Sequence, residues 1–114
     1  MNFQDLTMTY SERFTAAELE KIIDEGMIYM CACPAMVADS VRKLREMYRY
    51  QLNCLEDPEN CSIVHQSIAR NTVIAHAQMQ DCLEEVLVFE EWDRTTLDMP
   101  AGLRQRQTKE MQAD

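Results

Sequence analysis

In the middle of the chain, apolar and aromatic residues recur at alternating spacings of four and three residues, from Val37 to Leu55. This spacing is typical of one face of an α-helix. Pro34 suits the first helical turn, because its missing amide hydrogen would have no partner there, and Cys33 is the expected cap residue. The pattern predicts a helix over residues 34–55.

A second pattern repeats every seven residues and predicts a longer helix over residues 58–92. Asp57 and Pro58 form a helix-start signal only a few residues after Leu55. So short a connection requires an antiparallel hairpin, whose second arm extends beyond the first by about three turns. The repeating positions comprise Cys61, Ile68, Ala75, Cys82 and Phe89, with His65, Thr72, Met79 and Val86 interleaved.

A shorter helix precedes the hairpin. Thr15 and Glu18 have the spacing of a capping box, and Leu19 and Ile22 provide one apolar face. We expect this helix to continue through Gly26 and to pack on the overhang of the third helix. The chain thus divides into an N-terminal arm (1–14), an all-α helical domain (15–93) and a mobile polar tail (94–114).

Composition narrows the classes of partner. The 114 residues include 20 acidic and 11 basic ones, for a net charge of -9. Binding to nucleic acid or to an anionic membrane requires a dominant basic surface, so neither is expected. The start of the chain lacks the pattern of a secretion signal, and no apolar run approaches a membrane span. We therefore expect a cytoplasmic protein.

Two sets of residues are candidates for binding a protein partner. Ile63, Val73 and Ile74 would leave apolar surface on the far side of the third helix, which a homodimer with a four-helix core would cover. The second set is a basic stripe at helical spacing, made of Arg42, Arg45 and Arg49. Such stripes are usually solvated or paired with local carboxylates, but this one could bind an acidic patch of a partner.

The cysteines form a regular arrangement. Cys33 precedes Cys54 by 21 residues, and Cys61 precedes Cys82 by 21 residues. In an antiparallel hairpin this places cysteines opposite each other at both ends. Three interpretations follow: buried reduced thiols, which we favour in a reducing compartment, disulfides that staple the hairpin, or ligands and reactive thiols.

Two groups could converge as soft ligands for Zn²⁺ or Cu(I), although no cofactor is the expected state. The first, near the hairpin turn, is Cys54, Cys61 and His65. The second, at the opposite end, is Cys31, Cys33 and Cys82. No recognised metal box or catalytic motif accompanies them.

Acidic charge, helicity and surplus apolar surface favour a non-enzymatic interaction protein, such as an adaptor, small chaperone or regulatory subunit, that forms a homodimer. The alternative is a thiol redox or soft-metal-binding protein that uses Cys31, Cys33 and Cys82.

Overall fold

A computed structural model describes residues 10–28, 32–60 and 62–100. Three helices account for most of them: α1 (Ala16–Ile28), α2 (Ala32–Leu55) and α3 (Ser62–Phe89). Helices α2 and α3 pack as a hairpin, and α1 contacts α2. The described part of the chain contains no strand. The predicted all-α hairpin with an additional N-terminal helix is therefore confirmed.

The capping box fixes the start of α1. The Glu18 amide donates to Thr15 Oγ1 at 3.0 Å, and the Thr15 amide donates to Glu18 Oε1 at 2.8 Å. Phe14 and Leu19, which flank the cap at the positions of a hydrophobic staple, are both buried in the core. The helix continues through Gly26, as predicted.

The connection between α2 and α3 is longer than predicted, because α3 begins at Ser62 and not at residue 58. Asp57 does not cap a helix. Its Oδ1 atom accepts the amide of Glu59 at 3.0 Å, which is an Asx turn. The side chain of Asn60 donates to the carbonyl of Cys54 at 2.9 Å and closes the loop.

Helix α3 ends at Phe89, three residues before the predicted end at Trp92. The Trp92 amide donates to the Leu87 carbonyl at 2.9 Å, and the Glu91 amide donates to the Val88 carbonyl at 3.1 Å. These two bonds define a Schellman motif, which requires a left-handed residue, and Glu91 has a φ of 61°. Trp92 then turns back into the core.

Residues 94–100 pack against the domain, so the predicted boundary of a mobile tail at residue 94 is wrong for this stretch. Leu97 and Met99 are buried in the core. Two polar contacts tie the same stretch to α1: Lys21 Nζ lies 2.8 Å from Asp98 Oδ1, and the Met99 amide donates to Glu25 Oε1 at 3.3 Å. The rest of the predicted tail, residues 101–114, lies outside the described residues.

The main core joins all three helices. The side chains of Leu19 and Ile22 on α1, Val41 on α2, and Leu83 and Leu87 on α3 belong to one buried cluster. The first helix was predicted to pack on the overhang of the third helix, but it packs against α2. It shares the buried cluster with Leu83 and Leu87 of α3.

The core face of α3 is rotated by about one residue from the predicted heptad series. Ile68, Ala75 and Cys82 of that series are only half-buried, and Phe89 is 79% exposed. The buried positions of α3 are Ala69, Thr72, Val73, His76, Gln80, Leu83 and Leu87.

Candidate functional site

A buried polar network lies between α2, α3 and the segment before α1. Its centre is Arg45, which is only 2% exposed. Its Nε atom donates to His76 Nε2 at 2.9 Å, and its Nη2 atom donates to Gln80 Oε1 at 3.0 Å. The carboxylate of Glu12 lies 3.7 Å from Arg45 Nε and supplies the opposite charge. A buried guanidinium requires such partners, since leaving its charge unpaired would be costly.

The same network holds the segment before α1 in place. Gln80 Nε2 donates to the Ser11 carbonyl at 2.9 Å, and Gln80 Oε1 accepts the Arg13 amide at 2.8 Å. The ring of Tyr10 stacks on Tyr48 with a centroid separation of 4.3 Å and on His76 at 4.9 Å. Residues 10–13 are therefore part of the hairpin's packing.

Burial and charge shift two acid–base groups of this network. Burial, helped by the positive charge of Arg45, lowers the pKa of His76 from 6.5 to about 4. The imidazole is consequently neutral near pH 7 and can accept the Arg45 hydrogen bond at Nε2. Burial, together with its hydrogen bond to Glu12, raises the pKa of Tyr10 well above its usual range. The pKa values of both groups therefore lie away from neutral pH.

The predicted cysteine chemistry receives no support from the residues that can be described. Cys33 is exposed and Cys54 and Cys82 are half-buried, and all three carry free thiols, so no disulfide joins the described cysteines. No group of three His, Cys, Asp or Glu side chains converges within residues 10–28, 32–60 and 62–100. Cys31 and Cys61, which complete the two proposed ligand groups, lie outside these ranges.

His65, the remaining predicted ligand, has a different partner. Its Nδ1 atom lies 2.6 Å from Gln51 Oε1 across the α2–α3 interface. The bond joins the two helices near their turn, and it explains why a histidine suits this half-buried position.

The predicted basic stripe does not form one surface. Arg45 is buried and does not lie on the surface with Arg42 and Arg49. Arg42 Nη2 donates to Asp39 Oδ1 at 2.8 Å. Together with Lys43 it holds the pKa of Asp39 below its usual range, with Lys43 the larger cause. Arg49 is exposed.

The three apolar residues proposed for partner binding, Ile63, Val73 and Ile74, do not lie on one exposed surface either. Ile63 and Ile74 are 79% and 60% exposed on α3. Val73, by contrast, is buried with Tyr48 and Ala69 in a second, smaller core cluster and does not form part of the exposed surface. One residue of helical rotation, about 100°, accounts for the difference between neighbours 73 and 74.

A cavity of about 400 Å³ opens beside the hairpin turn. Its described lining consists of Leu52, Leu55, Glu56, Ser62 and Gln66. Two of these side chains are apolar and three are polar, and Glu56 carries the one charge among them.

Another feature of the described surface is a long stripe without charge on one side of the hairpin, which we call the uncharged face. Its positions on α3 follow one another at spacings of three and four residues, so they share one side of that helix. Exposure is high at Met36, Val64 and Phe89, which are 66%, 51% and 79% exposed. The face comprises Met36, Ser40 and Met47 on α2, and Val64, Ile68, Asn71, Ala75, Met79, Cys82, Val86 and Phe89 on α3.

Two polar residues interrupt this face, and each donates one hydrogen bond within its own helix. Ser40 Oγ donates to the Met36 carbonyl at 3.0 Å. Asn71 Nδ2 donates to the Ser67 carbonyl at 2.8 Å. Covering the face would therefore bury little unpaired hydrogen-bonding capacity.

Sequence reasoning assigned part of this stripe to the α2–α3 seam and did not identify it as a surface. The signal that could have found it is the absence of charge: 27% of the chain is charged, yet none of the eleven positions is Asp, Glu, Lys or Arg.

Comparison of the chain with protein-family models, curated proteins and solved structures gives no significant match. Among the described residues, no helix combines the length and the apolar character needed to cross a bilayer.

Proposed function

We propose that this chain is a non-enzymatic protein-interaction module whose hairpin binds a helix of another protein chain through the uncharged face. One observation carries the proposal: a stripe of uncharged, largely apolar side chains runs the length of α3 and remains partly exposed in a strongly acidic chain. Exposed apolar stripes of this extent are typical of binding surfaces.

The chemistry of the stripe favours a helical partner. A groove between two antiparallel helices receives the apolar side of a third helix, whose side chains recur at matching spacings of three and four residues. Met36, Met47 and Met79 are unbranched and flexible, and they adapt to partners of different shape. The absence of basic residues from the face disfavours nucleic acid and anionic lipid as ligands.

Site-specific photocrosslinking in the cells that express the chain tests the proposal. Benzoylphenylalanine replaces Phe89 on the face or, as a control, Glu20 on the exposed side of α1. We expect a discrete protein adduct from position 89, none from position 20, and loss of the adduct when Ala75→Glu places a charge on the face. Ala17→Glu, an exposed change on α1, should leave the adduct intact.

Equal adduct yields at positions 89 and 20 would contradict the proposal. The same holds for an adduct from position 89 that persists in the Ala75→Glu variant, because binding would then not depend on the uncharged face.

A further inference from the structure

We infer that the uncharged face is covered by a second copy of this chain, so that two hairpins form a four-helix core. This inference rests on the proposed function and names the partner. It follows from three properties of the face: its charge, its size and the distribution of large and small side chains along it.

Electrostatic repulsion limits which surface two copies can use to associate. Each copy carries a net charge of -9, so association through most of the surface would bring carboxylates together. On the uncharged face this repulsion is smallest. A two-fold arrangement places the same patch on both partners, so the second copy is uncharged wherever the first one is.

The face is large enough for a stable dimer. Helix α2 has 24 residues and α3 has 28. At 1.5 Å per residue, the uncharged face extends about 38 Å along α3, from residue 64 to 89, and about 17 Å along α2, from residue 36 to 47. With each helix about 10 Å wide, two copies would bury about 1,100 Å² in total, which exceeds the roughly 1,000 Å² expected of a specific interface.

The arrangement of side-chain sizes favours close helix packing. Small residues, Ser40 on α2 and Ala75 on α3, lie near the middle of the face, and Ala75 is at the centre of α3. Larger side chains, among them Met36 and Phe89, lie toward the ends. Small central residues permit the helices of two copies to approach closely, while the larger ones fill the space on either side.

The test is sedimentation equilibrium of the intact chain over about two orders of magnitude in protein concentration. We expect a species of twice 13.3 kDa. Ala75→Glu and Phe89→Asp should each raise the dimer dissociation constant by at least about tenfold. Phe89 is 79% exposed, so the second variant leaves the folded monomer intact even if the first does not. Ala17→Glu is the matched charge control and should remain dimeric.

The outcomes separate the two proposals. A monomer at every concentration, with a photocrosslinked adduct between position 89 and a different protein, would overturn this inference and leave the proposed function standing. A monomer with no adduct from position 89 would overturn both. A dimer unaffected by Ala75→Glu and Phe89→Asp would place the interface elsewhere and also overturn the inference.

Discussion

The Nε atom of Arg45 on α2 lies 2.9 Å from the Nε2 atom of His76 on α3, and both side chains are buried in the hairpin. A guanidinium has only donors, so the imidazole must present an unprotonated nitrogen. Glu12, from the segment before α1, supplies the compensating charge at 3.7 Å. The contact therefore couples the helix pairing to the position of that segment.

Replacing Arg45 by methionine should destabilise the fold by about 3 kcal/mol, because His76 Nε2 would lose its buried donor and Gln80 Oε1 would lose one of two. Methionine keeps part of the apolar stem, so the loss reflects mainly the polar network. Urea unfolding measures the change. Arg42→Met removes only an exposed pair with Asp39 and should cost less than about 1 kcal/mol. Equal losses of unfolding free energy in the two variants would show that the buried network stabilises the fold no more than the exposed Arg42–Asp39 pair does.

The pKa of His76 predicts a pH dependence of stability. It lies near 4 in the folded state and near 6.5 when unfolded, so in this interval the unfolded chain binds more protons. Stability should therefore be fully present above pH 6.5 and fall toward pH 4 by up to about 1.4 kcal/mol per pH unit.

Urea unfolding at several pH values checks this for the native chain and for His76→Gln, which preserves an acceptor for Arg45. The slope between about pH 4 and 6.5 should be reduced in His76→Gln. An unchanged slope in His76→Gln would assign the titration to other groups.

The structure also indicates which features hydrophobic patterning can predict. The apolar pattern predicts the buried face of α2 correctly, because the large apolar side chains of Val41 and Tyr48 dominate that face. The face of α3 was rotated by one residue because His76 and Gln80 occupy buried positions, and a pattern of apolar residues assigns such side chains to solvent. Their burial depends on Arg45, a partner 31 residues away in sequence from His76, which local periodicity cannot reveal.

The packing of residues 94–100 against the domain could not be predicted from the sequence for a related reason. Leu97 and Met99 are isolated apolar residues in a polar stretch, so they produce no periodic signal. Their burial depends on a turn in which Asp93 Oδ1 accepts the amides of Thr95 and Thr96 at 2.8 and 2.9 Å. The hydrogen bonds from Thr96 and Thr95 also lower the pKa of Asp93.

Leu97→Ala tests whether residues 94–100 belong to the domain. Leu97 is 2% exposed within the main core, so truncation of its side chain should cost about 2–4 kcal/mol in the free energy of unfolding. Thr95→Ala is the control, since that side chain is exposed and only its backbone amide is bonded. If Leu97→Ala is as stable as Thr95→Ala, then this stretch is not part of the cooperative core.

The Schellman motif at the end of α3 predicts a stabilising substitution. Glu91 has a φ of 61°, a conformation that costs most residues about 1 kcal/mol and glycine almost nothing. Glu91→Gly should therefore raise the free energy of unfolding by about 0.5 kcal/mol, after allowance for the greater flexibility of glycine in the unfolded chain. Glu85→Gly, at an exposed position inside α3, should lower it by about 1 kcal/mol. Thermal and urea unfolding of both variants measure the difference, and a loss of stability in Glu91→Gly would mean that its left-handed conformation is not the source of strain.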